Sequence, residues 1–336
     1  MPDISLFDQE VKAGEKRVFR APVGEMNDGT PVSVPVMVVA GRDKGPTVFL
    51  GGAAHGDEYA GPAAIPRLFN ELSADQVRGT LIGIPILNPF AYFARARSNV
   101  LDYEHLNLNR IWPGDPKGYL SQRMAHHLFQ EAIRGADAIL DIHEGGIAFI
   151  ARYMITDGTA EMKRTVGERQ LQMARWFGGG VPVNNRTISE EAARMGRLGT
   201  LSAAAGAIGI PVLTVEIGGG GTLWPDYVDL VVDGSRRVLR GLGAIEGEVG
   251  DTGPEQIIVS DAEWPRPKRG GLLRAAPGIE VGQVLEAGVS LATIHDVFGE
   301  VVEELVTPFR CVILDTRFLA TIYPGDWTYH CGRIED

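Results

Sequence analysis

Short apolar runs alternate with stretches of helical spacing between residues 46 and 242, and this alternation restricts the chain to few folds. The apolar runs are 46–52, 80–87, 138–143, 152–156 and 212–219, and the helical stretches are about 61–72, 120–133, 159–177 and 226–242. Strands that alternate with helices favour a mostly parallel or mixed sheet with helices on both faces. We therefore predict an α/β fold whose ligands bind at the carboxyl ends of the strands.

The two ends of the chain have a different sequence pattern, in which extended runs and turns predominate. Residues 1–45 contain the extended run TPVSVPVMVVAG and form a β-rich lead-in. From about Gly250, short β runs are punctuated by glycine and proline, and no clear helix follows. The pattern predicts one large domain over 1–248 and a small all-β barrel or sandwich over 249–336. We interpret the second domain as a cap or assembly domain, because the last lysine, Lys268, precedes its hairpins and a swinging-arm carrier needs a hairpin-tip lysine.

Composition and charge exclude several classes of partner. The chain has 336 residues, of which 44% are hydrophobic, and this is enough to build a core. Its formal net charge of -11 argues against a nucleic acid or an anionic membrane as the main partner, but not against a small anionic substrate. The N-terminal residues lack a signal-peptide pattern and no run approaches the length of a membrane span, so we expect a cytoplasmic protein. Cys311 and Cys331 are then expected to be reduced thiols.

The polar residues after the first apolar run fall at a strand end. In FLGGAAHGDEYAGP, His55 and Glu58 are three positions apart, and Gly56 between them permits a tight turn. That spacing lets one imidazole and one carboxylate converge on a cation. On its own the pair is weak evidence of a metal site, because such a pattern occurs more often in a solvated loop.

Two further strand ends have ionisable residues. His143 ends the run AILDIH, and Asp141, two positions earlier, projects to the same face of the strand. A carboxylate there can accept the proton of a metal-bound imidazole and fix its tautomer, although the spacing does not say which imidazole. Glu216 lies near the end of VLTVEIGG, where a buried glutamate is costly unless it is paired or functional. The structural alternatives are a histidine bonded to backbone and a glutamate in a loop salt bridge.

Arginines and asparagines cluster between the second strand and the next helix, in ARARSNVLDYEHLNLNRIWPG. A planar guanidinium beside an asparagine suits a carboxylate or a carbonyl oxygen. Arg97 and Arg110, with Asn109, are candidates for that role. Solvated loop arginines are the alternative, which we prefer for Arg95.

The order of the motifs resembles that of the succinylglutamate desuccinylase and aspartoacylase family. The motifs are, in chain order, H-x-x-E, N-P at Asn88, R, LNLNR, DIH and VEIG. The resemblance covers roughly residues 45 to 245 and rests on the order of the motifs. It implies a zinc-dependent deacylase with a carboxypeptidase A-like fold. The segment LNLNRIWPG is most similar to the bacterial N-acetyl-diaminobutyrate deacetylase-like subgroup.

The resemblance also implies the role of each residue. His55, Glu58 and His143 match the ligands of one zinc ion per chain, and Glu216 matches the general base. A set of His, Glu and His with one open position is typical of catalytic zinc sites.

The substrate-facing residues are implied in the same way. Arg97 matches the arginine that polarises the scissile carbonyl, because the family arginine is followed five positions later by an aspartate, here Asp102. Asn109 and Arg110 match the pair that holds the substrate carboxylate. The family tyrosine near the C-terminus has only Tyr323 and Tyr329 as candidates.

These implications together predict a zinc-dependent amidohydrolase that cleaves the amide bond of a small N-acyl amino acid, with N2-acetyl-diaminobutyrate as one candidate. Two alternatives stay open, a metallocarboxypeptidase for short peptides and a non-catalytic protein that binds a small ligand. Arg186, Arg194 and Arg197 are candidates for a second cationic group, which an acidic substrate side chain would need. An added β domain also allows a homo-oligomer.

Overall fold

A large mixed β-sheet lies at the centre of the computed structural model, which describes residues 3–335. The strands are, in chain order, β1 (Ile4–Leu6), β2 (Gln9–Val11), β3 (Lys16–Glu25), β4 (Pro31–Ala40), β5 (Asp43–Gly52), β6 (Arg78–Ile84), β7 (Ala138–His143), β8 (Phe149–Ile155), β9 (Val183–Asn184), β10 (Val212–Gly219), β11 (Ile258–Val259), β12 (Ala262–Glu263), β13 (Gly271–Ala275), β14 (Val284–Leu285), β15 (Ser290–His295), β16 (Val301–Val306), β17 (Cys311–Arg317), β18 (Thr321–Ile322) and β19 (His330–Arg333).

The helices connect these strands. They are α1 (Ala60–Glu71), α2 (Pro89–Ala94), α3 (Leu120–Leu128), α4 (Ala160–Phe177), α5 (Glu190–Arg194), α6 (Leu201–Gly206) and α7 (Pro225–Gly241). A π-helical turn, Phe129–Ile133, continues α3, and short 3-10 turns lie at Ala74–Gln76, Leu108–Arg110 and Arg197–Gly199. Side-chain caps begin several helices; the Thr159 hydroxyl, for example, accepts a hydrogen bond from the backbone N–H of Met162 at the start of α4.

The main sheet has the strand order β12-β19-β17-β8-β10-β7-β5-β6-β4-β3, with β9, β11 and β14 attached beside this path. Its central strands β6, β5, β7 and β10 are parallel, whereas β4 pairs antiparallel with β6 and β8 pairs antiparallel with β10. β8 runs against β10 because only residues 144–148 separate it from β7, and a parallel crossover needs a dozen residues or more. The predicted mixed α/β sheet is confirmed.

The two faces of the sheet are covered by different helices, as predicted. Side chains alternate along each strand, so Phe49 of β5 packs into one core and Leu50 into the other. The first core contains apolar residues of α2, α3 and α6, and the second contains those of α1, α4 and α7. Burying both faces explains why the central strands are near-continuous apolar runs.

The C-terminal part of the described chain is built from strands and turns, which confirms its predicted all-β character. β13, β15, β16 and β18 form a separate four-stranded sheet. β12, β14, β17 and β19 instead extend the main sheet, because β17 pairs with β8. The boundary at 248/249 and the role as a cap or assembly domain stay predictions.

Two smaller expectations concern cysteines and membranes. Cys311 and Cys331 are both buried and have free thiols. Among residues 3–335, no helix combines the length and apolar character that crossing a membrane requires.

Candidate active site

Three neighbouring parallel strands end at one edge of the main sheet. Gly52 of β5 pairs with Ile142 of β7, and Glu216 of β10 pairs with His143 of β7. The loop after β5 therefore lies beside the last residue of β7, and Glu216 faces the same side of the sheet as His143. This edge is the place where ligands bind in open α/β sheets.

The loop after β5 is held very close to the neighbouring helix. A Cβ atom added to Gly56 would lie 1.9 Å from the carbonyl carbon of Ala91 in α2, so any larger residue forces backbone apart. The Gly56 N–H also donates to the Ala96 carbonyl at 2.9 Å. Glycine therefore positions His55 and Glu58 on either side of a fixed turn.

His55, Glu58 and His143 converge, and all three are buried. Glu58 Oε1 lies 2.6 Å from His55 Nδ1, and Glu58 Oε2 lies 2.8 Å from His143 Nδ1. One donor atom from each residue lies within 4.8 Å of the other two. The cluster joins the two halves that the sequence separates by 85 positions.

The opposite nitrogen of each imidazole faces an oxygen acceptor. Asp141 Oδ2 lies 3.1 Å from His143 Nε2, and Asn107 Oδ1 lies 3.1 Å from His55 Nε2. These acceptors favour a proton on Nε2, which leaves the Nδ1 lone pairs directed at the Glu58 carboxylate. Three electron-rich groups then face one another in a buried space, and a cation between them would offset the repulsion of their lone pairs. Two imidazole nitrogens and one carboxylate oxygen are a donor set that zinc accepts, so these residues fit the ion.

The burial and charge of the cluster shift its pKa values. Burial lowers the pKa of His55 to about 4, despite the nearby Glu58 carboxylate, which favours the imidazolium form. Burial alone would raise the pKa of Glu58, but His55 and His143 hold it well below its usual range. A neutral His55 beside an ionised Glu58 suits a divalent metal. Despite its burial, His143 has a pKa well above its usual range because Asp141 and Glu58 favour the imidazolium form, so metal binding there would release a proton.

Glu216 stands next to this cluster without a protein partner. Within residues 3–335 its carboxylate has no hydrogen bond or ion pair, and its side chain is half-buried at the wall of a cavity. Burial raises the pKa of Glu216 to about 7, while the neighbouring His143 opposes that rise. A carboxyl group that titrates near neutrality, in a cleft and beside a metal-type cluster, is a candidate acid or base.

The cavity above the cluster is rich in guanidinium groups. His55, Arg97, Asn109, Arg110 and Glu216 line it, and His143 and Glu58 lie buried below. Arg97 Nη1 lies 3.6 Å from Glu58 Oε1. The site residues proposed from the sequence are therefore gathered at one place.

Asn109 and Arg110 are held together by the 3-10 turn Leu108–Arg110. Asn109 Oδ1 accepts the backbone N–H of Leu201 at 3.0 Å, and Arg110 Nη1 donates to the Asn109 carbonyl at 2.6 Å. In the described chain no carboxylate pairs with Arg110, whose pKa is lowered to about 10 by burial and by Arg197 and other nearby guanidinium groups.

The remaining candidates divide by position. Arg186 and Arg197 line the cavity, and Arg186 forms an ion pair with Asp157 at 3.1 Å. Arg194 is exposed and is not a wall residue. Tyr323 is exposed and Tyr329 is buried, and neither is a wall residue, whereas Tyr153 of β8 is one.

Three wall residues that no sequence motif indicated come from the C-terminal part of the chain. Trp264, Trp327 and His330 line the cavity. The Trp264 ring stacks on His330 with ring centroids 4.3 Å apart and on Trp327 with centroids 5.1 Å apart. Aromatic residues in a β-rich segment indicate a cavity wall only once it is known that the pairing of β17 with β8 brings this segment to the site.

Comparisons with known proteins identify the family of the chain. The succinylglutamate desuccinylase/aspartoacylase catalytic domain matches residues 44–242. The N-alpha-acetyl-L-2,4-diaminobutyric acid deacetylase of Halomonas elongata is 31% identical over 305 residues, which cover 88% of this chain and 84% of that protein.

Solved structures show the same fold over nearly the whole chain. The product-bound ectoine utilization protein EutE (DoeB) from Ruegeria pomeroyi has a TM-score of 0.81 and 25% identity over 96% of both chains. A succinylglutamate desuccinylase from Silicibacter sp. TM1040 has a TM-score of 0.82 and 24% identity, and covers 99% of this chain and 98% of its own. The chain therefore belongs to the succinylglutamate desuccinylase/aspartoacylase family.

Proposed function

We propose that this chain is a zinc-dependent deacylase that hydrolyses the amide bond of a small N-acyl amino acid. The observation that carries the proposal is the convergence of His55, Glu58 and His143 directly beside Glu216. Family membership and the deacetylase activity named for the Halomonas elongata relative support the same reaction class.

The buried cluster would hold the metal. Nδ1 of His55, Nδ1 of His143 and the Glu58 carboxylate would be its ligands, with Asp141 and Asn107 orienting the imidazoles. When bound, zinc supplies a Lewis acid that polarises the scissile carbonyl and activates water.

Glu216 is proposed as the group that moves the proton. Its unpartnered carboxylate would accept a proton from the attacking water and then deliver it to the nitrogen of the leaving amine. The pKa of Glu216 is about 7 in the metal-free chain, and a bound cation would lower it, so the ionised carboxylate that accepts a proton would be available near neutral pH.

Arg97 is proposed to stabilise the negative charge that develops on the carbonyl oxygen. Its guanidinium reaches to within 3.6 Å of Glu58, so it lies next to the point where the carbonyl would sit. A preorganised donor of this type typically contributes about 3 kcal/mol in the transition state.

Arg110, with Asn109, is proposed to hold the α-carboxylate of the substrate. The guanidinium has no carboxylate partner among the described residues, and the turn that holds it is fixed by the Asn109–Leu201 hydrogen bond. Holding the carboxylate there would position the amide over the cluster, and orientation of this kind contributes to catalysis.

The experiment that tests the function combines metal analysis with a substrate panel. The purified protein would be analysed for zinc and assayed with N2-acetyl-diaminobutyrate, N-acetyl-aspartate and other N-acetyl amino acids, and with dipeptides. We expect stoichiometric zinc and the fastest hydrolysis with an N-acetyl amino acid. Faster hydrolysis of dipeptides would favour a metallocarboxypeptidase, and zinc-loaded protein that cleaves nothing would favour a binding protein.

A further inference from the structure

The cavity above the His55, Glu58 and His143 cluster has a tyrosine in its wall that the proposed mechanism does not use. Tyr153 of β8 lines this cavity, which has a volume of only about 80 Å³. Tyr153 is the direct antiparallel register partner of Glu216 in β10, and residues paired in this way point to the same face of the sheet. Its phenol ring therefore stands beside the proposed base at the cavity wall.

The hydroxyl group of Tyr153 is available to contact a ligand. Among residues 3–335 it has no hydrogen-bond partner. The hydroxyl of Tyr329 also has none, but that atom is fully enclosed by protein, whereas the Tyr153 hydroxyl is not. Burial, Glu216 and Asp315 raise the pKa of Tyr153 well above its usual range, so the hydroxyl keeps its proton and can donate a hydrogen bond.

The orientation of the Tyr153 ring is fixed by aromatic contacts. Tyr153 and His330 form an edge-to-face contact with ring centroids 5.3 Å apart and an interplanar angle of 80°. His330 is itself stacked on Trp264, with ring centroids 4.3 Å apart and an interplanar angle of 9°. Because neighbouring rings hold Tyr153 in place, its hydroxyl is preorganised, and a bound ligand would not have to order it.

The surroundings of this hydroxyl suit an anion. Arg110 and Arg197 line the same cavity, and neither has a carboxylate partner in the described chain. The positive charges of Arg186 and Arg197 also act on the Tyr153 hydroxyl, since they partly offset the rise of its pKa. A hydroxyl donor beside guanidinium groups that have no carboxylate is an arrangement that binds a carboxylate.

We propose that Tyr153 is a substrate-binding residue, whose hydroxyl donates a hydrogen bond to the α-carboxylate of the substrate. The inference rests on the proposed function, which places that carboxylate at Arg110 and the leaving amine beside Glu216. The amine nitrogen and the α-carboxylate of an amino acid are attached to the same carbon atom, so the carboxylate lies close to Glu216 and to its register partner Tyr153. Arg110 and Tyr153 would then hold the carboxylate from two walls of the small cavity.

The test compares N2-acetyl-diaminobutyrate with its α-carboxamide in the wild type and in Tyr153→Phe, which removes only the hydroxyl. N-acetyl-aspartate and its α-carboxamide form a second pair for the same comparison. For the acids we expect KM to rise roughly 10-fold or more in the variant, the size expected for a lost hydrogen bond to a charged group, with little change in kcat. The rise should be much smaller for the carboxamides, because a neutral carbonyl accepts a weaker hydrogen bond than a carboxylate.

Tyr329→Phe is the matched control, because it removes another buried hydroxyl without a partner, from a residue that does not line the cavity. It should keep the wild-type KM and kcat. Tyr153→Phe should also keep the wild-type zinc content and unfolding temperature, because the hydroxyl that it removes is bonded to no protein group. A clear fall in its unfolding temperature would indicate a structural role for the hydroxyl and overturn the proposal.

Binding gives a second readout that needs no turnover. Trp264 and Trp327 line the cavity, so each acid and each carboxamide can be titrated by tryptophan fluorescence into Glu216→Gln, with and without Tyr153→Phe. We expect Tyr153→Phe to weaken the binding of the acids far more than that of the carboxamides. An unchanged KM, or equal losses for acid and carboxamide, would overturn the role of Tyr153 and leave the deacylase function intact. Failure of the wild type to cleave any N-acetyl amino acid would overturn both proposals.

Discussion

Glu216 and His143 are direct register partners on the adjacent parallel strands β10 and β7. Side chains paired in this way project to the same face of the sheet, so the proposed base and a proposed metal ligand are placed by backbone hydrogen bonds. Tyr153 of β8 pairs with Glu216 from the other side. The reacting groups are therefore positioned by the hydrogen-bonded central strands of the main sheet, and the following predictions depend on that placement.

Removing one imidazole should remove the metal. His55→Ala deletes one of three convergent donors, so we expect both zinc content and turnover to fall to near zero, as measured by elemental analysis and a deacetylation assay. His126→Ala, in α3 and outside the cluster, should retain both. Full zinc content in the His55 variant would contradict the ligand assignment.

Asp141 should tune the metal site without being a ligand. Its carboxylate faces His143 Nε2 at 3.1 Å, so Asp141→Asn weakens the acceptor that fixes the imidazole tautomer. We expect zinc affinity to fall about 10- to 100-fold, the range typical of such outer partners, with little change in unfolding temperature. Competition with a zinc chelator would measure the affinity, and an unchanged value would show that the contact is not used.

Two neighbouring arginines should differ sharply. Arg97→Met removes the guanidinium beside Glu58, and we expect kcat to fall roughly 100-fold or more. Arg95→Met changes an exposed arginine outside the cavity and should keep near wild-type kinetics. Equal losses in the two variants would mean that general charge, and not the position of Arg97, supports the reaction.

A methyl group should be enough to disrupt the metal loop. Gly56→Ala places a Cβ atom against the Ala91 backbone, so we expect a lower unfolding temperature and weaker zinc binding, although no ligand is changed. Gly135→Ala is the control, because a Cβ atom there meets nothing within 4 Å. Calorimetry and elemental analysis of both variants would check the prediction, and normal zinc binding by the Gly56 variant would refute it.

Glu216 should make the stability of the metal-free protein depend on pH. Its pKa is raised from 4.5 to about 7 in the folded chain, so between these values the folded state holds a proton that the unfolded state has released. The contribution of Glu216 to the free energy of unfolding therefore decreases as pH rises through this range. Glu216→Gln removes the effect, so its stability gain over wild type should be on the order of 2 kcal/mol larger at about pH 8 than at about pH 5.

Urea unfolding of both chelator-treated proteins at the two pH values would measure this difference. The same gain at both pH values would show that Glu216 keeps an ordinary pKa. Adding zinc should suppress the pH dependence in the wild type, because a cation favours the ionised carboxylate.

Much of the fold followed from local patterns. The apolar runs located the central strands, because both faces of the sheet are buried, and the helical spacing located α1, α3, α4 and α7. The convergence of His55, Glu58 and His143 could be predicted because these residues lie at or just after strand ends, and parallel strands bring their carboxyl ends to one edge of the sheet.

The rest depended on contacts between distant residues. Asp141 was expected to serve an imidazole, but only the structure shows that it is that of His143. Trp264, Trp327 and His330 come to the cavity because β17 pairs with β8, and no local pattern in the sequence connects these two distant strands. The direction of β8 could have been foreseen, since its short connection to β7 excludes a parallel crossover.

The pairing of β17 with β8 also sets the order in which the site can be completed during synthesis. A nascent chain that has emerged as far as β10 already has His55, Glu58, His143 and Glu216, but the cavity walls still lack Trp264, Trp327 and His330. A metal could thus be captured before translation ends, whereas a walled substrate chamber exists only once the final strands have left the ribosome and joined the sheet.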